Sequence, residues 1–355
     1  MTPQRVWLSK PVVGGGRHDY TQEQLAEAMR DRLRKIEGAE EVRQMVGFIY
    51  EHASIETRHL EFDLQQVEAR EDWYLLVNDS TMSLARRTVE RLFAEHGRDG
   101  LDALVVVSAS YAGFPSLSRH LQDGLELPLD MLCYDLTGLG CAGPTYGLHL
   151  AHMLVSSGAA RRVCLVCVDA MGTHGECRVH ATPPSVSQLV AHCLASDGAG
   201  AVLIGAEPQG EASLGWSECR LLSRLWPGSL AENDFTATAD NQPMISVGKE
   251  IRTRIVGELE PLIAELDPNT ALFHPGGASL MRALGGRFPA LRPTLAISSG
   301  VLRKHGNIGA ASVLWVLHDA WEAGRPLTPQ LRLIALGPGI VSTMLCLDDV
   351  CLASS

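Results

Sequence analysis

Apolar residues follow two rhythms along this chain, and the rhythms alternate. From Thr21 onward, Leu25, Met29, Leu33 and Ile36 recur at three- and four-residue steps, the spacing of one helical face. Thr21 and Gln24 supply a capping box for that helix. A second helix is predicted over Ser83 to Glu95, with Leu84, Val89 and Leu92 inward. The run Ala103 to Ser108 is short, unbroken and rich in Val, which reads as a strand buried on both faces. Met131 to Leu136, Arg162 to Val168 and Gly200 to Gly205 repeat the strand signal. Helices are predicted between them from about Ala142 to Ser156 and near Ser187 to Leu194. Beyond a polar stretch, Ala206 to Ser213, the pattern gives a helix from Ser246 to Leu266 and a short strand, Ala271 to Phe273. Helices follow at Ala278 to Leu284 and Asn307 to Ala323, then a strand pair, Leu331 to Leu336 and Val341 to Leu347, joined by Gly337-Pro338-Gly339. Such alternation predicts an α/β architecture, divided at the polar stretch into halves 1–210 and 211–355. The halves share a rhythm, but no strong repeat is visible.

Composition narrows the function. Of 355 residues, 46% are hydrophobic and 20% charged, the balance of a folded globular chain. The net charge of -11 disfavours nucleic acid and anionic membranes as partners. No apolar run approaches a membrane span and no apolar signal core opens the chain, so a cytoplasmic protein is expected. Nine cysteines, an odd number in a long chain, argue against a disulfide framework. Cys164 and Cys167 form a Cys-x-x-Cys pair inside a predicted strand. Their side chains then point to opposite faces, which leaves no redox or zinc pair. His149 and His152 lack a third ligand, and His174, Cys177 and His180 read as loop and surface residues, so no metal is expected.

Three positions carry candidate chemistry. Gly138-Leu139-Gly140-Cys141-Ala142-Gly143-Pro144 places Cys141 between a strand and a helix, where the helix N-terminus favours a thiolate. His274 follows the strand Ala271 to Phe273 and enters Pro275-Gly276-Gly277, a common place for a base. Asn307 precedes a predicted helix. Each has a bland reading: a structural Cys, a hydrogen-bonded loop His, a helix N-cap. Together they supply a thiol, a proton partner and an amide donor. Papain-like proteases run in the same order, but their Cys-Gly-Ser-Cys-Trp signature is absent here.

At these residues the chain resembles the type III polyketide synthases, the family of chalcone synthase. The resemblance rests on Gly140-Cys141-Ala142-Gly143, Ser196-Asp197-Gly198-Ala199, His274-Pro275-Gly276-Gly277, Val301-Leu302-Arg303-Lys304-His305-Gly306-Asn307 and Gly337-Pro338-Gly339. It runs from about residue 100 to the C-terminus. Before that, only Ser54-Ile55-Glu56-Thr57-Arg58-His59-Leu60 matches. His-Pro-Gly-Gly separates the chain from ketoacyl synthases of fatty-acid initiation, which usually carry His-Gln-Ala-Asn. The resemblance implies the thiolase fold, five layers αβαβα with two similar halves, and a homodimer. It implies that Cys141 takes an acyl chain as a thioester. His274 and Asn307 would then donate hydrogen bonds to the carbonyl of a second acyl thioester, with Ala195, Gly337, Pro338 and Gly339 lining the substrate cavity. No bound cofactor is implied.

Two departures bear on the substrate. The Lys and Arg residues that hold coenzyme A phosphates in plant members align with Met45, Phe48 and His52. This points to an acyl carrier protein rather than coenzyme A as the acyl donor, with Arg30, Arg32, Arg34 and Lys35 as a stretch that could meet an acidic carrier or simply face solvent. The two Phe residues that gate the chalcone synthase cavity align with Ala195 and a position near Ala237, which widens the cavity. Both departures fit the stand-alone ketosynthases of the myxopyronin and corallopyronin pathways, which fuse two carrier-bound β-ketoacyl chains into an α-pyrone. Iterative extension of an acyl-CoA starter with malonyl-CoA is the alternative. A simple acyltransferase or hydrolase and a non-catalytic partner subunit of the same fold are further ones.

Overall fold

The computed structural model describes residues 4–67, 72–177, 183–210, 212–230, 235–237, 243–245, 251–263, 266–325 and 327–353. The strands are β1 (Val6–Leu8), β2 (Val12–Gly15), β3 (His18–Thr21), β4 (Thr57–Leu60), β5 (Ala103–Ser108), β6 (Leu132–Thr137), β7 (Arg162–Ala170) and β8 (Asp197–Gly205). They continue with β9 (Leu214–Trp216), β10 (Glu218–Leu225), β11 (Phe235–Ala237), β12 (Pro243–Ile245), β13 (Ala271–Phe273), β14 (Leu331–Gly337), β15 (Val341–Asp348) and β16 (Cys351–Leu352). The helices are α1 (Gln22–Leu33), α2 (Glu40–His52), α3 (Leu64–Val67), α4 (Trp73–His96), α5 (Leu117–Gly124) and α6 (Gly143–Ser156). They continue with α7 (Met171–Glu176), α8 (Val186–Leu194), α9 (Ile251–Ile263), α10 (Ala278–Arg287), α11 (Arg292–His305) and α12 (Ser312–Glu322).

Strand alternation builds the layers. On β5, Ala103, Val105 and Val107 face one core while Leu104 and Val106 face another. The first core also holds α6, α12 and the inner faces of β14 and β15; the second holds α4 and α5. The opposite face of β13–β15, with Phe273, Ile334 and Met344, packs on α9, α10 and α11. The order is helix, sheet, helix, sheet, helix, as the thiolase fold requires. Cys164 falls in one core and Cys167 in the other, so the strand keeps them apart.

The two sheets share a grammar. In the first, β1–β8 and β8–β7 are antiparallel and β7–β5 is parallel. In the second, β10–β15 and β15–β14 are antiparallel and β14–β13 is parallel. The buried helices α6 and α12 are likewise matched: each follows a three-residue 3-10 turn, Gly140–Ala142 and Gly309–Ala311, and those turns pack together. β9 and β16, although beyond residue 210, extend the first sheet next to β1.

Several elements depart from the sequence reading. The capping box of α1 forms as expected, but α2 and α11 were not anticipated. The helix expected from Ser246 is described from Ile251 to Ile263. Asn307 does not cap α12, which begins five residues later. His174 and Cys177 are buried rather than surface residues, and His174 packs edge-on against Trp73; His180 lies outside the described residues.

Candidate active site

Cys141 is the middle residue of the 3-10 turn between β6 and α6. Gly138 and Gly140 hold φ at 72° and 49°, a region costly for side-chain-bearing residues. A Cβ on Gly140 would lie 2.6 Å from Pro338 Cδ, and one on Gly337 would lie 2.8 Å from Ala142 Cβ. Glycine at both positions therefore lets the end of β14 seat directly against the cysteine turn. Pro144 occupies the first turn of α6, where no N–H is needed. Thr145 Oγ1 donates to Ala142 O and to Thr343 Oγ1, fixing the helix start to β15. Gly339, at φ 65°, makes the turn into β15 and accepts a bond from Ser229 Oγ.

His274 ends β13. Its N–H donates to Ile334 O at 2.7 Å, and Ser298 Oγ of α11 donates to Phe273 O. The ring is buried and its Nδ1 has no hydrogen-bond partner among the described residues. Burial pushes this imidazole down to about 4, so it is neutral near pH 7.

Asn307 sits where α11 has ended at Gly306, whose φ of 72° turns the chain. Its backbone N–H donates to Leu194 O and its carbonyl accepts from Ser196 N, forming a parallel bridge with Ala195. Its Oδ1 accepts from Gly309 N (3.1 Å) and Ser312 Oγ (3.4 Å). With the oxygen so engaged, the amide NH2 is turned the other way, a pure donor. Ala195 is 8% exposed and its carbonyl accepts from Arg58 Nη1. The side chain of Ala237 lies outside the described residues.

The pieces close on one another. The cysteine turn packs on β14 and on the turn after Asn307. His274 pairs with β14 through its backbone, and a Cβ on Gly277 would lie 3.6 Å from Leu194, whose carbonyl holds Asn307. Among the described residues no hydrogen bond joins the Cys141, His274 and Asn307 side chains directly. Burial, with the Asp169 carboxylate adding to it, raises the Cys141 thiol to about 12. Desolvation and a nearby negative charge act against the lowering expected from the helix N-terminus. At rest the site holds a neutral thiol and a neutral imidazole.

The sequence reading missed three contributors. Asp169, at the end of the apolar strand β7, lies under the site; a lone carboxylate closing such a strand was a readable signal. Arg58, fully buried, ties Ala195 to Gln22 and His192. Gly306 meets Leu194 O, Arg58 and Ser196 so closely that a Cβ there would stand 3.0 to 3.1 Å from each. The proposed basic stretch is also corrected: Arg32 turns inward to a buried ion pair with Glu176, leaving Arg30, Arg34 and Lys35 on the outer side. Among the described residues no cluster of three or more His, Cys, Asp or Glu could hold a metal, and no helix is long and apolar enough to cross a membrane.

The fold is shared with solved condensing enzymes. The C-terminal type III polyketide synthase domain of Steely1 from Dictyostelium superposes with a TM-score of 0.83 at 20% identity, covering 98% of this chain and 99% of that one. The 1,3,6,8-tetrahydroxynaphthalene synthase of Streptomyces coelicolor A3(2) gives 0.82 at 18% identity, with the same coverage. In sequence, the family model for 3-oxoacyl-[acyl-carrier-protein (ACP)] synthase III matches residues 134–220, the segment around Cys141. A 1,3,6,8-tetrahydroxynaphthalene synthase of Streptomyces peucetius subsp. caesius is 26% identical, over 93% of this chain and 89% of its own length. Type III polyketide synthase 10 of Oryza sativa subsp. japonica is 28% identical, over 67% of this chain and 63% of its own length. Fold and sequence together define a thiolase-fold condensing enzyme, an acyl-transferring catalyst. The chain is similar in sequence to type III polyketide synthases and shares their fold.

Proposed function

We propose that this enzyme joins two carrier-bound β-ketoacyl chains through Cys141 and closes the product to an α-pyrone. The neutral His274 imidazole accepts at one ring nitrogen and donates at the other, which suits both tasks asked of it. First it takes the Cys141 proton as sulfur attacks the donor thioester, and returns that proton to the departing carrier thiol. Then, with the Asn307 amide, it donates to the carbonyl oxygen of the second thioester as its α-carbon loses a proton and becomes nucleophilic. That carbon attacks the Cys141-bound acyl carbon, the carbon–sulfur bond breaks, and the departing sulfur takes up the proton that the α-carbon gave to water, which restores the thiol. An enol oxygen of the joined chain then attacks the remaining thioester carbonyl, closing the ring and releasing the second carrier thiol. Donors placed at the developing oxyanion are worth about 10²–10³ in rate each.

The observation that carries this reading is Asn307, whose Oδ1 is held by Gly309 and Ser312 so that only N–H groups remain for a ligand. Ala195, small where a gating ring is expected, supports room for long chains. The preference for a carrier over coenzyme A rests on α2, where Phe48 is 64% exposed and stacks on His52 in place of cations. Malonyl-CoA extension would use the same three residues and is the competing reading. A homodimer is part of the proposal: among the described residues β6 ends the first sheet with an unpaired edge, and Leu132 on that strand is exposed, as are Phe114 and Leu129.

Intact-protein mass spectrometry with acyl-carrier-protein thioesters and, separately, acyl-CoA thioesters tests it. Loading of Cys141 from the carrier alone is expected. Efficient loading from coenzyme A returns the enzyme to malonyl-CoA extension, and labelling that survives Cys141→Ala removes the nucleophile.

A further inference from the structure

The Asp169 carboxyl is a buried group near the nucleophile that the proposed chemistry does not use. It is the penultimate residue of β7 and is 1% exposed. Oδ1 accepts from Ala109 N (2.7 Å), Ser110 N (2.9 Å) and Ser108 Oγ (3.3 Å); Oδ2 accepts from Ala310 N (2.7 Å). All these partners donate, which a carboxylate satisfies and a protonated carboxyl does not. Burial pushes the group upward from the usual Asp range, and the N–H bonds act against that shift. Its neighbour Gly309 holds φ at 55°, and a Cβ there would collide with the Asp169 carboxylate. Gly309 N in turn holds Asn307 Oδ1.

These contacts form one chain: Asp169 grips the Gly309–Ala310 turn, and that turn orients the Asn307 amide. We infer that Asp169 is a positioning residue that aims the Asn307 donor at the substrate oxyanion. This inference rests on the roles proposed above for Cys141 and Asn307. It separates the two half-reactions. Acyl loading needs Cys141 and His274, whereas condensation also needs Asn307 in register.

Asp169→Asn makes the cut selectively. The Asn oxygen keeps the Ala109 and Ser110 bonds, but its NH2 faces Ala310 N–H and cannot accept from it. Gly309→Ala strains the same link from the other side. Both variants are compared with wild type and Asn307→Ala. Loading is read by intact mass with octanoyl-N-acetylcysteamine, and condensation by product formation with 3-oxooctanoyl-N-acetylcysteamine as second substrate. Each variant is expected to load within about threefold of wild type and to lose about 10²-fold in condensation, the scale of a misplaced catalytic group. Asn307→Ala impaired while both variants condense normally overturns the inference alone. Parallel losses of loading and condensation overturn it too, since they mark a merely structural role. Normal condensation by Asn307→Ala overturns the underlying reading, and the inference with it. If wild type accepts neither thioester, the underlying reading falls and the inference with it.

Discussion

Replacing Arg58 with Met offers a quantitative test of how the site is braced. Arg58 is wholly buried. It donates to Gln22 Oε1 (3.0 Å), His192 O (2.7 Å) and Ala195 O (2.9 Å), and its Nη2 lies 3.6 Å from Glu176 Oε1. Met keeps most of the aliphatic stem but leaves three buried acceptors without that donor and Glu176 with one cation fewer. Breaking a buried pair from one side typically costs about 3–5 kcal/mol, so ~4 kcal/mol is expected. For 355 residues an unfolding entropy of about 2.1 cal/mol/K per residue comes to roughly 0.75 kcal/mol/K, which converts this into a Tm lower by about 5 °C. Differential scanning calorimetry at one fixed scan rate measures it. Arg34→Met is the control, because Arg34 pairs with Asp31 at the surface and such a pair is worth under about 1 kcal/mol. An Arg58→Met Tm within 1 °C of the control would refute the bracing argument, whatever happened to activity.

Three further outcomes are expected. His152, His192, His274 and His305 are all held at about 4, chiefly by burial, so the folded state binds their protons less readily than the unfolded chain does. The stability this confers is complete above about pH 6.5 and is lost as pH falls from there toward 4; a Tm that stays flat from pH 7 to 5 contradicts it. Gly143→Ala should lower stability by about 1–3 kcal/mol despite the helix preference of Ala, because its Cβ would collide with Val107, and an unchanged or raised Tm argues against that packing. Ala195→Phe should shift products toward shorter acyl chains in product mass spectrometry, and an unaltered product range would remove Ala195 from the cavity wall.

The central strands β5, β7 and β8 were legible because each carries an unbroken apolar run, whereas β1 to β4, β9 to β12 and β16 were not anticipated. The cysteine turn was legible for a related reason, since only glycines permit its backbone. α11 was not. Its buried positions include Thr294 and Ser298, so its inner face carries no clean apolar stripe; Ser298 is there to bond Phe273 O beside His274. Arg32 misled for a different reason. It belongs to a basic stretch in sequence, but helical winding places it inward with Met29 and Leu33, and its partner Glu176 lies 144 residues away. Asp169 shows the same limit. Its position at a strand end was readable, but its grip on Ala310 exists only once β7 and the segment after α11 are folded together.

The placement of β16 has a consequence for how the chain can be assembled. β1 opens the first sheet but finds its partners only in β8 and β9, and β9 is flanked by β16 at Cys351–Leu352. During synthesis the edge of β9 therefore stays open to stray pairing until β16 has been made. Two fragments cut near residue 210 would each lack strands belonging to the first sheet, so separately expressed halves should recover activity only when both are present as they fold.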